Sequence, residues 1–349
     1  MPSRDNSLMA ARHVSKRFRI RRGLSATDLV AVNEVSLDIG YGGPEILALV
    51  GESGSGKSTF AYSILGLVEP TTGSIMYKGQ DVAKVIRTAS RMWFRKEVQP
   101  VFQNPFDTFN PLRKVESYLY ETVFNYGVAE KAADAEKVIE EALEAVGLSW
   151  GDVLGKYPHE LSGGQLQRCS VARALLTGPS LIVADEPVSM IDASLRMSIV
   201  NLFKNLKEER GITVLYITHD LSTAYYVSDR VAVMLRGTLV EAGATEEIFS
   251  KPLHPYTRVL LESVPAPDPN RRWAGEVKLP TLELKEFARQ GCKFIDRCPY
   301  VHRICYSQKP ETRLIGGRYV MCHFAEDIER KQRGAAAPLM EVKSPRTKG

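Results

Sequence analysis

Residues Gly51-Glu52-Ser53-Gly54-Ser55-Gly56-Lys57-Ser58 fit the pattern G-x-x-x-x-G-K-[ST], which constrains the fold more than any other feature of the chain. The glycines let backbone N–H groups wrap a phosphate without obstruction by side chains. Lys57 places a cation on the β- and γ-phosphates, and Ser58 offers a hydroxyl to Mg²⁺. A helix that starts here points its positive end at the anion. The bland alternative is a chance glycine-rich turn. The context opposes it, because Glu45–Val50 reads as a buried strand before the loop and residues 57–67 read as a helix after it.

The rest of the chain repeats that alternation. Val30, Val32, Val35, Leu37 and Ile39 mark short apolar segments, and strands are expected at 73–78 and at 98–103, the latter ending in Gln103. Residues 104–160 change character: Ala135, Val138, Ile139, Ala142 and Val146 recur at helical spacing, with Gly147 where a helix would stop. Strand, helix and strand then follow at 181–184, 195–206 and 213–218, with a hairpin around Arg236-Gly237. This predicts an α/β fold with a parallel sheet core and a helical insertion. Pro265, Pro267, Pro269 and Pro280 make residues 264–291 read as a linker. From about residue 331 the composition is that of a disordered tail.

Composition narrows the class. With 349 residues there is room for one large domain and one small one, and 44% hydrophobic with 25% charged residues is an ordinary globular balance. A membrane-spanning helix needs about 20 apolar residues in a row, and none is present, so a membrane role must run through partners. The polar, basic start of the chain has no apolar core and does not read as a secretory signal. A net charge of +5, scattered along the chain, fits a solvated surface better than a nucleic-acid footprint.

Two further motifs carry chemistry. Ser180–Glu186 is an apolar strand that ends in two acids: Asp185 suits the metal shell, and Glu186 suits a general base that polarises the attacking water. Leu161-Ser162-Gly163-Gly164-Gln165 opens an amphipathic helix and makes a second anion-binding turn. One nucleotide does not need two such turns, so the simplest solution is that the second serves a neighbour's nucleotide.

Together these motifs resemble the ABC ATPase family over residues 10–265. Residues 51–58 resemble its Walker A motif, Gln103 its Q-loop, 161–165 its signature and 181–186 its Walker B strand. Ser189-Met190-Ile191-Asp192 resembles its D-loop, and His219 its switch histidine. Met190-Ile191 stands where Ala-Leu is commoner, but Asp192 is kept. The resemblance implies a P-loop NTPase with an antiparallel β subdomain, and an adenine that stacks on Phe18. ATP contacts would include Gly51, Ser53, Gly54, Gly56, Lys57, Ser58 and Thr59, with Ser58, Gln103 and Asp185 around Mg²⁺. Catalysis would fall to Glu186, His219, Lys57 and Gln103. In the implied head-to-tail dimer, Ser162, Gly163, Gly164 and Gln165 of one subunit close over the ATP of the other. Gln103 and the insertion would carry the contact to membrane subunits.

A narrower resemblance is to the oligopeptide/dipeptide importer branch. It rests on Phe102-Gln103-Asn104-Pro105, Asn110-Pro111, His254-Pro255-Tyr256-Thr257 and four late cysteines spaced Cys292-x5-Cys298-x6-Cys305-x16-Cys322. The Leu161–Gln165 and Gln-Asn-Pro sequences look like the branch's second, F-type subunit. In that branch four such cysteines are similar to those that hold a [4Fe–4S] cluster. By chemistry alone four thiolates also suit zinc, but the tight C-x₂₋₄-C pairs of structural zinc are absent. The order is therefore iron–sulfur, then zinc, then free thiols. His302 and His323 are substitute ligands or simply surface histidines. The fifth cysteine, Cys169, reads as a core thiol.

The branch implies a nucleotide-binding domain over 8–263, a linker and four-cysteine segment over 264–330, and a tail over 331–349. It also implies a second, related ATPase subunit, two permease subunits, an extracytoplasmic substrate-binding protein, and a place at the cytoplasmic face of the inner membrane. Oligosaccharide or nickel cargo is the alternative. An ABC ATPase acting on DNA or ribosomes is a more distant one, since such chains commonly carry two phosphate loops or long insertions and this chain has one loop and a short insertion.

Overall fold

The computed structural model describes residues 7–22, 25–263, 287, 289–332 and 334. The linker expected at 264–291 and the tail after 331 therefore lie largely outside the described residues.

Two long strands open the fold, β1 (Ser7–Arg22) and β2 (Ser25–Tyr41), paired antiparallel from Ser7↔Tyr41 to Arg22↔Ser25. β1 was not expected from the sequence, where its many cations obscure an alternation that buries Met9 and Ala11. After β3 (Ile46–Val50) come β4 (Thr72–Tyr77) and β5 (Gln80–Asp81), which complete a four-stranded sheet in the order β2-β1-β4-β5.

The second sheet positions the site. β6 (Val98–Val101), β7 (Leu181–Asp185) and β8 (Thr213–Thr218) run parallel with β3, as does β9 (Arg230–Leu235). Every residue of β3, β7 and β8 is buried, which explains their continuous apolar runs: helices cover one face of the parallel sheet, and β1, β2 and the helix Lys57–Ile64 cover the other. β10 (Thr238–Ala244) returns antiparallel on β9, forming the expected hairpin at Arg236-Gly237. β11 (Arg313–Ile315) and β12 (Arg318–Val320) then extend the sheet to eight strands, ordered β11-β12-β10-β9-β3-β8-β7-β6. The strand expected at 98–103 stops at Val101, and the helix expected to reach residue 67 stops at Ile64. Gly66, at φ +67°, turns the chain away there.

Between β6 and β7 the chain is helical, with helices Val115–Asn125, Ala132–Ala145 and Trp150–Val153. Leu119, Val123, Ile139 and Leu143 pack with Leu166 and Cys169 of the helix Gly163–Leu175 into one core. Cys169 is fully buried, and burial pushes its thiol up to about 12. No helix among the described residues is long and apolar enough to cross a membrane.

Candidate nucleotide site

The loop Gly51–Gly56 leaves the C-terminal end of β3 and enters the helix Lys57–Ile64. Glycine is required at both ends. At Gly51 (φ +152°) a Cβ would lie 2.1 Å from the Met234 carbonyl oxygen, and at Gly56 (φ +101°) it would lie 2.2 Å from that of Ala31. Gly54 (φ +71°) faces open space. The loop is thus a backbone cradle packed on one side and open on the other, with Ser53, Gly54 and Ser58 exposed. The buried Lys57 ammonium donates to the carbonyls of Gly51 at 2.8 Å and Glu52 at 2.9 Å. Burial lowers its pKa, and Glu186, Asp185 and Glu52 oppose the shift.

Parallel strands bring the remaining groups to the same sheet edge. Ser58 Oγ donates to Asp185 Oδ1 at 3.3 Å, so a hydroxyl and a carboxylate stand side by side at the cradle. Burial raises the Asp185 pKa and the Ser58 hydrogen bond opposes it. A hard divalent cation fits this oxygen pair. Glu186 follows at φ +47°, a left-handed conformation rare outside glycine, and its N–H donates to Ile217 O at 2.9 Å. That turn presents its carboxylate to two partners. Gln103 Nε2 donates to Oε2 at 3.0 Å, and His219 Nδ1 lies 3.1 Å from Oε1. A cavity of about 360 Å³ opens beside Glu186 and His219, lined also by Ser189 and Arg196.

Lys57, Ser58, Gln103, Asp185, Glu186 and His219 therefore converge within one chain, with Thr59 in the helix's first turn. The other expected contacts do not join them. Ser162 caps the helix Gly163–Leu175: its Oγ accepts the Gln165 N–H at 3.2 Å and Gln165 Oε1 accepts the Ser162 N–H at 3.0 Å, so their bonds close on each other. Gly163 and Gly164 form the first turn of that helix. Asp192 precedes the helix Ala193–Arg210 without a side-chain cap. Phe18 is exposed on β1 beneath the Lys16 ammonium, which lies 5.3 Å from the ring centroid.

Sequence reasoning missed the contacts that hold the loop from behind. The Tyr256 hydroxyl oxygen (Oη) accepts the Glu52 N–H at 2.9 Å, and Arg297 grips both Glu52 oxygens at 2.5 and 3.1 Å. The buried Arg236 lies 3.8 Å from the same carboxylate. Tyr256 belongs to the noted His-Pro-Tyr-Thr sequence, which marked the position without revealing the contact. Nothing in the sequence pairs Arg297 with a residue 245 positions earlier.

The four late cysteines do not assemble as expected. None is in a disulfide, and among the described residues no group of three or more His, Cys, Asp or Glu side chains is placed to hold a metal ion. Cys292 and Cys298 pack against the cluster that contains Phe294, whereas Cys322 packs with Leu253 and Val320. Burial raises the pKa of Cys292 and pushes those of Cys298 and Cys322 up to about 12, which favours neutral thiols over thiolates. The charges of the other late cysteines push the Cys298 and Cys322 values the same way, so the four thiols are neighbours, although the described residues form no assembled metal site. His302 stacks edge-on against Phe324, and His323 Nε2 lies 3.1 Å from Gln308 O.

Comparison with known proteins agrees with the geometry. The ABC transporter family matches residues 32–189, and the oligopeptide/dipeptide transporter C-terminal region matches residues 240–305. The oligopeptide transport ATP-binding protein AppF of Bacillus subtilis (strain 168) is 41% identical over 91% of this chain and 97% of its own length. The di/tripeptide transport ATP-binding protein DppF of Pseudomonas aeruginosa (strain UCBPP-PA14) is 38% identical over 92% of this chain and 99% of its own. Among solved structures, the ATP-binding cassette MJ0796, a dimer in a post-hydrolysis state bound to ADP and Pi, superposes with a TM-score of 0.60. It is 28% identical and covers 68% of this chain and 98% of its own. A phosphate loop, a hydroxyl–carboxylate pair and a doubly held glutamate on one sheet edge, together with relatives matched nearly end to end, place the chain among the ATP-hydrolysing, ATP-binding subunits of the oligopeptide/dipeptide ABC transporters.

Proposed function

We propose that this ATPase powers import of oligopeptides or dipeptides, and that Glu186 is the general base of its hydrolytic step. The observation that carries the catalytic reading is the convergence of Gln103, Glu186 and His219 on the edge that bears the phosphate loop. The loop amides and Lys57 would bind the phosphates, and Ser58 and Asp185, with Gln103 nearby, would hold a Mg²⁺ whose charge would offset that of the phosphates. In the described state both Glu186 oxygens are engaged, so the base is masked. Movement of Gln103 towards the nucleotide frees Oε2 to accept a proton from water, and His219 steadies the γ-phosphate from the other side. Phe18 supports the adenine.

Ser162–Gln165 and Asp192 lie apart from this group and serve a facing subunit in a head-to-tail dimer. That partner is a second, related ATPase, with this chain as the F-type member. Two permease subunits and a substrate-binding protein complete the assembly at the cytoplasmic face of the membrane. Leu112, 84% exposed in the loop after Gln103, is an apolar contact available to a permease. The nucleotide-binding domain spans 8–263, with its helical part at 104–160 and the accessory segment at 264–330. The cysteine spacing remains the support for a [4Fe–4S] cluster, with zinc as alternative. No step of hydrolysis passes through it.

The test is reconstitution in liposomes with the permease and binding-protein partners. ATPase activity stimulated by a peptide-loaded binding protein supports the reading. Stimulation by sugar or nickel alone rejects the peptide cargo. Anaerobic preparation with about four irons per chain, reduced in Cys298→Ser, supports the cluster, and zinc or metal-free protein rejects it.

A further inference from the structure

Glu52 introduces a conflict into the phosphate loop. It sits between Gly51 and Ser53, and its side chain is only 27% exposed, so a carboxylate is held beside a cradle that must receive a polyanion. Arg297 answers it with two bonds, from Nη1 to Oε1 at 2.5 Å and from Nη2 to Oε2 at 3.1 Å. The guanidinium is itself fixed, with 13% exposure, and lies 5.1 Å from the Phe294 ring centroid and 5.8 Å from that of Tyr256. The Tyr256 hydroxyl oxygen accepts the Glu52 N–H, and Lys57 donates to the Glu52 carbonyl. One residue of the loop is therefore held at its amide, its carbonyl and its carboxylate, and the C-terminal segment supplies the countercharge.

We propose that Arg297 is a positioning residue for nucleotide binding: it neutralises Glu52 and so keeps the loop attractive to phosphate. The inference rests on the reading of residues 51–58 as the phosphate-holding turn. Removing Arg297, whose two bonds are the shorter ones, leaves the Glu52 carboxylate with only Arg236 at 3.8 Å, and a carboxylate so weakly compensated at the cradle repels the incoming triphosphate.

The experiment compares ATP binding and steady-state kinetics in the full chain. Arg297→Ala is expected to weaken ATP binding about tenfold and raise KM, with kcat changed less than about twofold; tenfold corresponds to about 1.4 kcal/mol. Adding Glu52→Gln to Arg297→Ala removes the weakly compensated charge and is expected to restore affinity to within about threefold. Arg297→Lys keeps the cation and is expected to stay near the parent protein, which preserves the test if Arg297→Ala does not fold. A double variant as weak as Arg297→Ala, or an Arg297→Lys variant as weak, overturns the charge role. Unchanged affinity in Arg297→Ala overturns the inference outright. Lys57→Ala separates the two readings: if it binds ATP normally the phosphate turn itself is misassigned, and if it loses ATP while Arg297→Ala does not, only this inference fails.

Discussion

Gln103 Nε2 donates to Glu186 Oε2 at 3.0 Å, although 83 positions separate the two residues in the chain. Gln103 follows β6 and Glu186 follows β7, and these strands pair in parallel from Val98↔Leu181 to Val101↔Ala184, so their C-terminal ends meet. The bond ties the insertion's first residues to the carboxylate beside the cradle. Glu186→Gln keeps the side chain's size and removes its basicity. Hydrolysis is expected to fall by about 10²–10⁴ while ATP binding is retained. Single-turnover phosphate release measured beside equilibrium binding checks this, and normal turnover would reject Glu186 as the base.

Lys57→Ala is expected to separate stability from binding. The ammonium is buried, and burial already disfavours its charged form, so the free protein should lose little stability. The stabilisation that MgATP gives the parent, about 2.7 kcal/mol at a hundredfold excess over Kd, should disappear. Thermal unfolding with and without MgATP reads both, and a Lys57→Ala protein still stabilised by MgATP would contradict the assignment.

Ser162 closes a reciprocal cap with Gln165 at the start of the helix Gly163–Leu175. Ser162→Ala is expected to cost about 1 kcal/mol of stability. If the turn serves a facing subunit, the same change lowers kcat and leaves ATP affinity of the single chain intact, whereas Ser162→Asn recovers stability without recovering kcat. Equal kcat in all three proteins would place the turn outside the reaction.

Burial depresses the pKa of His254 from 6.5 to about 3, and its Nδ1 accepts the Tyr256 N–H at 3.0 Å. The folded state holds this ring neutral, whereas the unfolded chain protonates it below about 6.5. Its contribution is thus present above that value and is lost as pH falls towards 3, at about 1.4 kcal/mol per pH unit. His254→Asn, which keeps a helix-capping acceptor, should flatten this part of the acid limb in denaturant melts at pH 4–7. An unchanged slope would show that other groups dominate acid unfolding.

The site's catalytic half was legible because its residues are held by local grammar. A glycine loop between strand and helix, two acids ending a buried strand and a histidine closing β8 each declare their place within a few residues. β1 was not legible, because its exposed Arg17 and Arg19 outweigh buried Met9, Ala11 and Val14 in any reading by composition. The restraint on Glu52 was invisible for another reason. Arg297 and Tyr256 reach the loop only through tertiary folding, and no periodicity records a pairing across more than 200 positions. Cysteine spacing likewise fixes the number of thiols but not their surroundings, and here Cys292 and Cys298 pack in one apolar cluster and Cys322 in another.

The hairpin β11–β12 joins the sheet that carries the phosphate loop by pairing β12 with β10 at Glu241↔Val320 and Ala242↔Tyr319. Without it, the seven-residue β10 would be the outer strand, a template for strand addition by another chain. With it, the sheet ends at the three-residue β11. Arg318 fastens the hairpin by donating to the Glu247 and Lys251 carbonyls. The accessory segment thus also guards the ATPase against aggregation, and proteolytic loss of it would threaten solubility even where every catalytic residue survives.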